Sequence, residues 1–391
     1  MTILLTGADG YMGWPTAMKL ALRFPDELIV GVDNGFRRLW VHEVGSWSAI
    51  PIKSMDERLE AFKEVFGQDN IIYRHLDLRD YDIVKALVEE YKPRAIVHLA
   101  AQPSAPYSML SPKHAIFTQE NNVKITLNLI HAIREVDPSI HLIETTTMGV
   151  YGTPNVDIPE GFFEVEFRGR KDTLPFPPQA GSWYHWSKVH DAGNLMFAAR
   201  AYKLPVTDLR LGVVYGTSTE ETKKDPRLAT RFDFDFWFGT LYNRFCAQAV
   251  AGYPLTIYGK GGQTRGYISL EDTAQTLVLA VEKPAEPGDF RVINMFVETV
   301  SVRQMAEKVK EAGSKVGLDV EVMTVPPPRP EALEHYYKPD LRKIFDVLGL
   351  KPKYTVDKAL PEDLEVLMGV KERILAKKDK FLPKELREKR G

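Results

Sequence analysis

The sequence predicts an α/β protein with a doubly wound parallel sheet and a smaller mixed α/β domain attached to it. Three observations carry that expectation. Short apolar, strand-like runs alternate with helix-like segments as far as Leu211, the pattern of right-handed βαβ units. A Gly7-x-x-Gly10-x-x-Gly13 turn joins the first such run to the first helical one. The second run ends on Asp33, 20 residues past the last of those glycines.

Thr2 to Thr6 (TILLT) reads as a buried strand, and Pro15 to Phe24 as the helix beyond the turn. Gly7 permits a tight bend, Gly10 lets backbone approach a pyrophosphate, and Gly13 lets helix and strand pack closely. The helix N-terminus adds N–H groups and the positive end of its dipole. Leu28 to Asp33 is the second strand, and Asp33 at its end is suited to accept hydrogen bonds from both ribose hydroxyls of a dinucleotide. Its charge repels a 2′-phosphate and favours NAD over NADP, although an arginine at position 37 or 38 could receive a phosphate. Residues 34–70 interrupt the rhythm with a loop holding Arg37, Arg38 and Trp40, then a helical segment at Met55 to Phe66. Ile71 to Leu76 is the third strand and Tyr81 to Tyr91 a helix. Between them Asp77, beside Leu78, either meets an adenine edge or caps that helix.

Ala95 to Leu99 is the fourth strand, Pro112 to Val136 a long helix, and His141 to Thr146 the fifth strand. Ligands of an open parallel sheet gather at the carboxyl ends of strands. That directs attention to His98-Leu99-Ala100-Ala101-Gln102 and to Thr145-Thr146-Thr147. Trp183 to Tyr202 is helical and Val206 to Leu211 is the sixth strand. Tyr184 and Lys188, four apart on that helix, share a face. An ammonium beside a phenol lowers the phenol's pKa, so such a tyrosine can take a proton from an alcohol while a hydride leaves the same carbon. The alternative is an ordinary surface pair.

Beyond Gly212 the alternation weakens. Asp235 to Gly252 reads as helix, Leu255 to Tyr258 as a short strand, and Val300 to Val316 as an amphipathic helix. Pro326 to Pro330 must be extended. Lys371 to Gly391, rich in lysine and arginine, reads as a solvated terminal helix. The expected division is a nucleotide-binding domain at 1–212, a mainly substrate-binding domain at 213–340 with chain crossings between the two, and a helical tail at 341–391.

With 391 residues, 44% apolar and 27% charged, the chain has the composition of an ordinary globular protein. A net charge of −2 points to neither nucleic acid nor an anionic membrane. Cys246 is the only cysteine, so no internal disulfide forms and a reducing compartment fits. The N-terminus shows no basic-then-apolar signal segment, and no apolar run reaches about 20 residues. A cytoplasmic protein is expected. No His, Cys and Asp cluster has metal-ligand spacing, so no metal is expected.

Taken together, Gly7–Gly13, Asp33, Thr147 with Tyr151-Gly152 four residues on, and Tyr184-x-x-x-Lys188 resemble the extended short-chain dehydrogenase/reductase superfamily, which includes sugar-nucleotide epimerases and dehydratases. The stretches 210–216 and 255–265 are similar to its later motifs. Asp9-Gly-Tyr-Met-Gly-Trp14, Ser104-Ala-Pro-Tyr-Ser-Met109, Asn243-Arg-Phe-Cys246 and Glu334-His-Tyr-Tyr337 narrow the resemblance to the UDP-sulfoquinovose synthase family. It implies a Rossmann domain, NAD as cofactor, a UDP-sugar substrate, sulfite or another small nucleophile as acceptor, and a homodimer. It implies Thr147, Tyr184, Lys188 and His185 as the catalytic set. Cofactor contacts are expected from Gly7, Gly10, Tyr11, Met12, Gly13, Asp33, Asn34, Arg37, Asp77, Leu78, Leu99, Ala100, Ala101 and Asn121, with Tyr184 and Lys188. Substrate contacts are expected from Gln102, Ser104, Thr147, Asn243, Tyr258, Gln263, Arg265 and Arg329. The chain departs from that family at Pro103, where arginine is expected, and at Val150, where an acid is. Met148 and Gly149 stand where 4,6-dehydratases carry an Asp-Glu pair. Two other functions fit the same residues: a UDP-sugar 4-epimerase, which needs only Tyr184, Lys188, Thr147 and room for the keto sugar to rotate, and a non-catalytic NAD-sensing protein.

Overall fold

The computed structural model describes residues 1–326 and 336–387, apart from the Glu385 side chain. Seven parallel strands form its central sheet: β1 (Thr2–Thr6), β2 (Leu28–Asp33), β3 (Ile71–His75), β4 (Ala95–His98), β5 (His141–Thr147), β6 (Val206–Leu211) and β7 (Phe290–Met295). Their order is β7-β6-β5-β4-β1-β2-β3. The chain winds outward from β1 in one direction and from β4 in the other. The reversal between them opens a crevice at the carboxyl edge of the sheet, as the expected fold class requires.

Alternation along β1 explains why its strands read as unbroken apolar runs. Ile3 and Leu5 face one core cluster and Leu4 faces the other, because successive side chains point to opposite faces. All three are fully buried, each contributing about 1.5–3 kcal/mol. Helices Gly13–Arg23 and Leu270–Glu282 cover one face; Tyr81–Tyr91, Pro112–Val136 and Trp183–Tyr202 cover the other. A separate core gathers Tyr215, Phe232, Phe234, Tyr242 and Phe245 beneath helices Leu241–Ala251, Val302–Lys315 and Val356–Met368.

The structure departs from the sequence reading in several places. A helix, Phe36–Glu43, occupies part of the expected loop. The helix expected from Asp235 starts at Leu241, because the Asp235 carboxylate accepts the Trp237 and Phe238 N–H groups and holds the chain in a turn. The helix expected from Val300 starts at Val302, where Ser301 and Gln304 form a capping box and a strand, Glu298–Ser301, precedes it. Asp80, not Asp77, caps Tyr81–Tyr91. An antiparallel hairpin, Phe162–Phe167 with Arg170–Pro175, was not foreseen.

β7 was not foreseen either. It lies in the stretch expected as substrate domain, yet it completes the first domain's sheet beside β6. The expected solvated tail is also corrected. Residues 371–387 form short helices, and Ile374, Phe381 and Leu382 are buried in the second core. Arg373 donates to the Ser48 and Ala49 carbonyls, and Trp47 Nε1 donates to the Arg373 carbonyl. These bonds fasten the C-terminal segment to the first half of the chain.

Candidate active site

A cavity of about 610 Å³ follows the carboxyl edge of the sheet from the glycine turn to the second core. Its first end is shaped by close backbone approach. A Cβ on Gly13 would sit 1.9 Å from the Gly7 carbonyl oxygen, and one on Gly7, where φ is +78°, would sit 2.8 Å from the Leu99 carbonyl carbon. Met12, the N-cap of the helix Gly13–Arg23, makes no side-chain cap; the Trp14 N–H donates to the Gly10 carbonyl and Pro15 has none, so the N–H groups at Met12 and Gly13 are the ones turned to an anion. Asp33 stands on the cavity wall, held by the N–H groups of Asp9 (3.0 Å) and Gly35 (2.7 Å). Burial pushes its carboxyl up against those two bonds. A glycine cradle at a helix N-terminus with a carboxylate 20 residues on fits a dinucleotide.

Gly7, Gly10, Tyr11, Met12, Gly13, Asp33, Asn34, Arg37, Leu78, Leu99, Ala100, Ala101 and Asn121 all line this cavity. Asp77 does not. Arg79, two residues on, folds back and binds its carboxylate, with Nε and Nη2 both donating. Arg37 is bound to Asp233 at 2.6 Å and stacks 4.1 Å over Phe238. Arg38 makes a two-pronged bond to Asp9, at 2.5 and 2.8 Å. Each carboxylate is shared with a second arginine, Asp233 with Arg231 and Asp9 with Arg58.

The middle of the cavity brings together Thr147, Tyr184, His185 and Lys188. Ser182 caps the helix Trp183–Tyr202, its Oγ accepting the His185 N–H and lying 3.0 Å from His185 Nδ1. The imidazole lies where a side chain on residue 149 would be: a Cβ on Gly149 would come within 2.2 Å of His185 Cδ2. Gly149 thus makes room for the ring. Thr147 Oγ1 accepts the Gly149 N–H at 3.1 Å. Lys188 Nζ donates to Glu144 at 2.8 Å and lies 3.3 Å from Asp191. Burial works to lower the Lys188 ammonium's pKa, but Glu144 and Asp191 outweigh it and hold it raised. For Tyr184, burial raises the phenol above its usual value; Lys188 opposes this, while Asp191 and Glu144 add to the rise. Lysine acts in the expected direction, yet the net shift is the reverse of the expectation.

At the far end the wall is formed by Ser104, Trp237, Phe238, Asn243, Arg244, Tyr258, Gln263 and Arg265. One expected contact fails here, and another is tied to its neighbours. Gln102 is fully buried off the cavity, its amide bonded to Ser104 and to Thr118 Oγ1. Asn243 reaches the wall, but its Nδ2 donates to the Asp233 carbonyl and its Oδ1 accepts from Thr240 Oγ1. Gln263 Oε1 is buried with no hydrogen-bond partner among the described residues, and so is Arg244 Nε. Arg244 went unrecognised in the sequence although it lies inside the Asn243-Arg-Phe-Cys246 run. Arg329 lies outside the described residues. Of the two departures from the resembled family, Pro103 lines the cavity whereas Val150 is buried in the core. Among the described residues no His, Cys, Asp and Glu group could hold a metal ion, and no helix is long and apolar enough to cross a membrane.

Comparison with known proteins gives consistent matches. The profile of the NAD dependent epimerase/dehydratase family matches residues 3–295. The chain is 48% identical over 389 residues to UDP-sulfoquinovose synthase of Sulfolobus acidocaldarius, covering 98% of this chain and 97% of that one. It is 46% identical over 373 residues to the chloroplastic UDP-sulfoquinovose synthase of Spinacia oleracea, covering 95% and 76%. Among solved structures it is similar to UDP-glucose 4-epimerase of Thermotoga maritima with UDP-glucose, at a TM-score of 0.67, 21% identity and coverage of 93% and 98%. It is similar also to UDP-glucuronic acid 4-epimerase of Bacillus cereus in complex with UDP-glucuronic acid and NAD, at 0.68, 20%, 95% and 100%. At those identities the two structures speak for the fold.

Proposed function

The chain belongs to the NAD-dependent epimerase/dehydratase family, and from that premise we propose that it is a UDP-sulfoquinovose synthase, joining sulfite to the sugar of UDP-glucose. In broader terms it is an NAD-dependent enzyme that modifies a sugar nucleotide. The observation that carries the proposal is the sharing of one cavity by Tyr184, Lys188, Thr147, His185 and the glycine turn.

NAD, when bound, supplies a hydride acceptor that later returns the hydride. The glycine turn and Asp33 would hold its phosphates and ribose, and Lys188 its far end. Tyr184 takes the proton of the C4 hydroxyl as hydride leaves C4, and Thr147 holds that oxygen. The resulting 4-keto group acidifies the C5 proton, so water can leave across C5 and C6 before sulfite adds at C6. His185, beside Tyr184 with ring centroids 5.2 Å apart, is the proton carrier at C6. Arg244 and Arg265 are the cations for the diphosphate, since a guanidinium offers paired charge-assisted bonds.

Pro103 on the cavity wall favours a rival, a UDP-sugar 4-epimerase, because it leaves that position without the cation an anionic acceptor would use. Incubation with UDP-glucose and NAD, with and without sulfite, separates the two. A sulfonated UDP-sugar formed only with sulfite is expected. UDP-galactose appearing without sulfite would sink the proposal.

The protein is read as a cytoplasmic homodimer. In support, the helices Pro112–Val136 and Trp183–Tyr202 leave Ile116, Trp183, Trp186 and Phe197 exposed, an apolar set suited to a second copy. Cys246 as the sole cysteine suits a reducing compartment. Light scattering should give twice the 44.4 kDa chain mass; a monomer at micromolar concentration would refute the dimer.

A further inference from the structure

Beneath the Tyr184 helix lies a cluster of buried ionisable groups that the mechanism above leaves unused. Glu144 comes from the middle of β5 and Asp191 from one turn beyond Lys188; both are fully buried. Among the described residues their only cationic contact is Lys188, at 2.8 and 3.3 Å. Glu144 Oε2 and both Asp191 oxygens have no hydrogen-bond partner among the described residues.

The other groups around this cluster do not balance it. From β4, His98 Nε2 lies 3.6 Å from Glu144 Oε2, but its Nδ1 is bonded to Thr6 Oγ1 at 2.6 Å and burial lowers its pKa to about 3, so it is neutral. From β6, Asp208 is paired with Arg210 at 3.1 Å. On the same helix His185 is turned to Ser182. The packed helix Pro112–Val136 offers the uncharged Asn122, bonded to Ser187, and Thr126. Two ionised carboxyls against one ammonium would leave a net charge in an interior without solvent, which is strongly disfavoured.

We propose that Glu144 and Asp191 hold one proton between them beneath Lys188, and that this buried acid pair is a positioning device that sets the protonation of Tyr184. Burial raises both carboxyls, the direction that holding a proton requires. With the proton in place the pair carries one negative charge against the one positive charge of Lys188. When it leaves at higher pH, the surplus negative charge acts on the phenol and holds its proton on. The two acids reach the substrate only through Lys188 and Tyr184. The inference rests on the reading of Tyr184 as the base.

The test uses the NAD-loaded enzyme and the variants Glu144→Gln and Asp191→Asn, both near-isosteric, with circular dichroism to confirm folding. Infrared difference spectra at pH 7 should show the C=O band of a protonated carboxyl in the wild type that is missing from each variant, because a single remaining carboxyl ionises against Lys188. In Glu144→Gln the acid limb of kcat/KM should move down by about one pH unit, since only one carboxylate ever faces the phenol. A purely structural role would lower the rate equally at every pH. An unchanged band in either variant, or an unmoved acid limb, would overturn the proposal. Failure of the Tyr184 reading itself would show differently, as turnover retained in Tyr184→Phe.

Discussion

Tyr184→Phe should lower kcat by about 10²–10⁴-fold, the usual contribution of a positioned acid–base group, with NAD affinity essentially unchanged. The phenyl ring keeps its place: the Tyr184 N–H is bound to Ser108 Oγ at 3.1 Å and the ring lies against His185. Only the hydroxyl is removed, and with it the acceptor for the substrate proton. Stopped-flow absorbance of reduced nicotinamide on mixing with UDP-glucose measures the chemical step, and equilibrium dialysis measures NAD binding. Wild-type rates in this variant would refute the assignment of Tyr184. Equal loss of NAD affinity would reassign it to holding the cofactor.

Gly13→Ala is expected to weaken NAD binding by about 10–100-fold, or about 1.4–2.8 kcal/mol. The added methyl would meet only backbone: Gly7 O at 1.9 Å, Gly7 C at 2.8 Å and Ala8 Cα at 3.0 Å. None of these can rotate away as a side chain would, so the turn must open and the helix N-terminus must move away from its position. The control is Gly193→Ala, a helical glycine whose added Cβ meets nothing within 4 Å. It should bind NAD as the wild type does. Titration calorimetry on the two variants decides the matter: unaltered affinity in Gly13→Ala would mean that the turn does not receive the pyrophosphate.

Much of the fold was legible because β1, β2, β4 and β5 are covered on both faces, which forces continuous apolar runs. β7 hid itself for an equally physical reason. Its run FRVINM contains Arg291 and Asn294, and Asn294 is buried to serve distant partners, accepting from the Tyr151 hydroxyl and donating to the Asp340 carbonyl. Polar residues demanded by tertiary contacts break the local pattern. The hairpin did carry the alternation Phe163, Glu164, Val165, Glu166, Phe167 ahead of Gly169, a period of two that belongs to no βαβ unit.

The site was legible as a set of strand ends and much less so as a set of side-chain directions. Spacing brought Gln102, Asp77 and Asn243 to the right neighbourhood. It could not reveal that Ser104 and Thr118 hold Gln102, that Arg79 holds Asp77, or that Asn243 is tied to Thr240 and Asp233 on the cavity wall. Arg244 is the converse case: a residue in a helix-like run that drew no expectation, yet lines the cavity.

The place of β7 at the edge of the sheet also governs how this protein can be made. As the chain leaves the ribosome, residues 1–211 can assemble six strands, but β6 must wait with one edge bare until residues 290–295 arrive. An unpaired strand edge is a template for pairing with another chain, and contacts this distant in sequence form slowly. A fragment ending near residue 212 would present β6 as its edge strand, where the whole chain pairs it with β7.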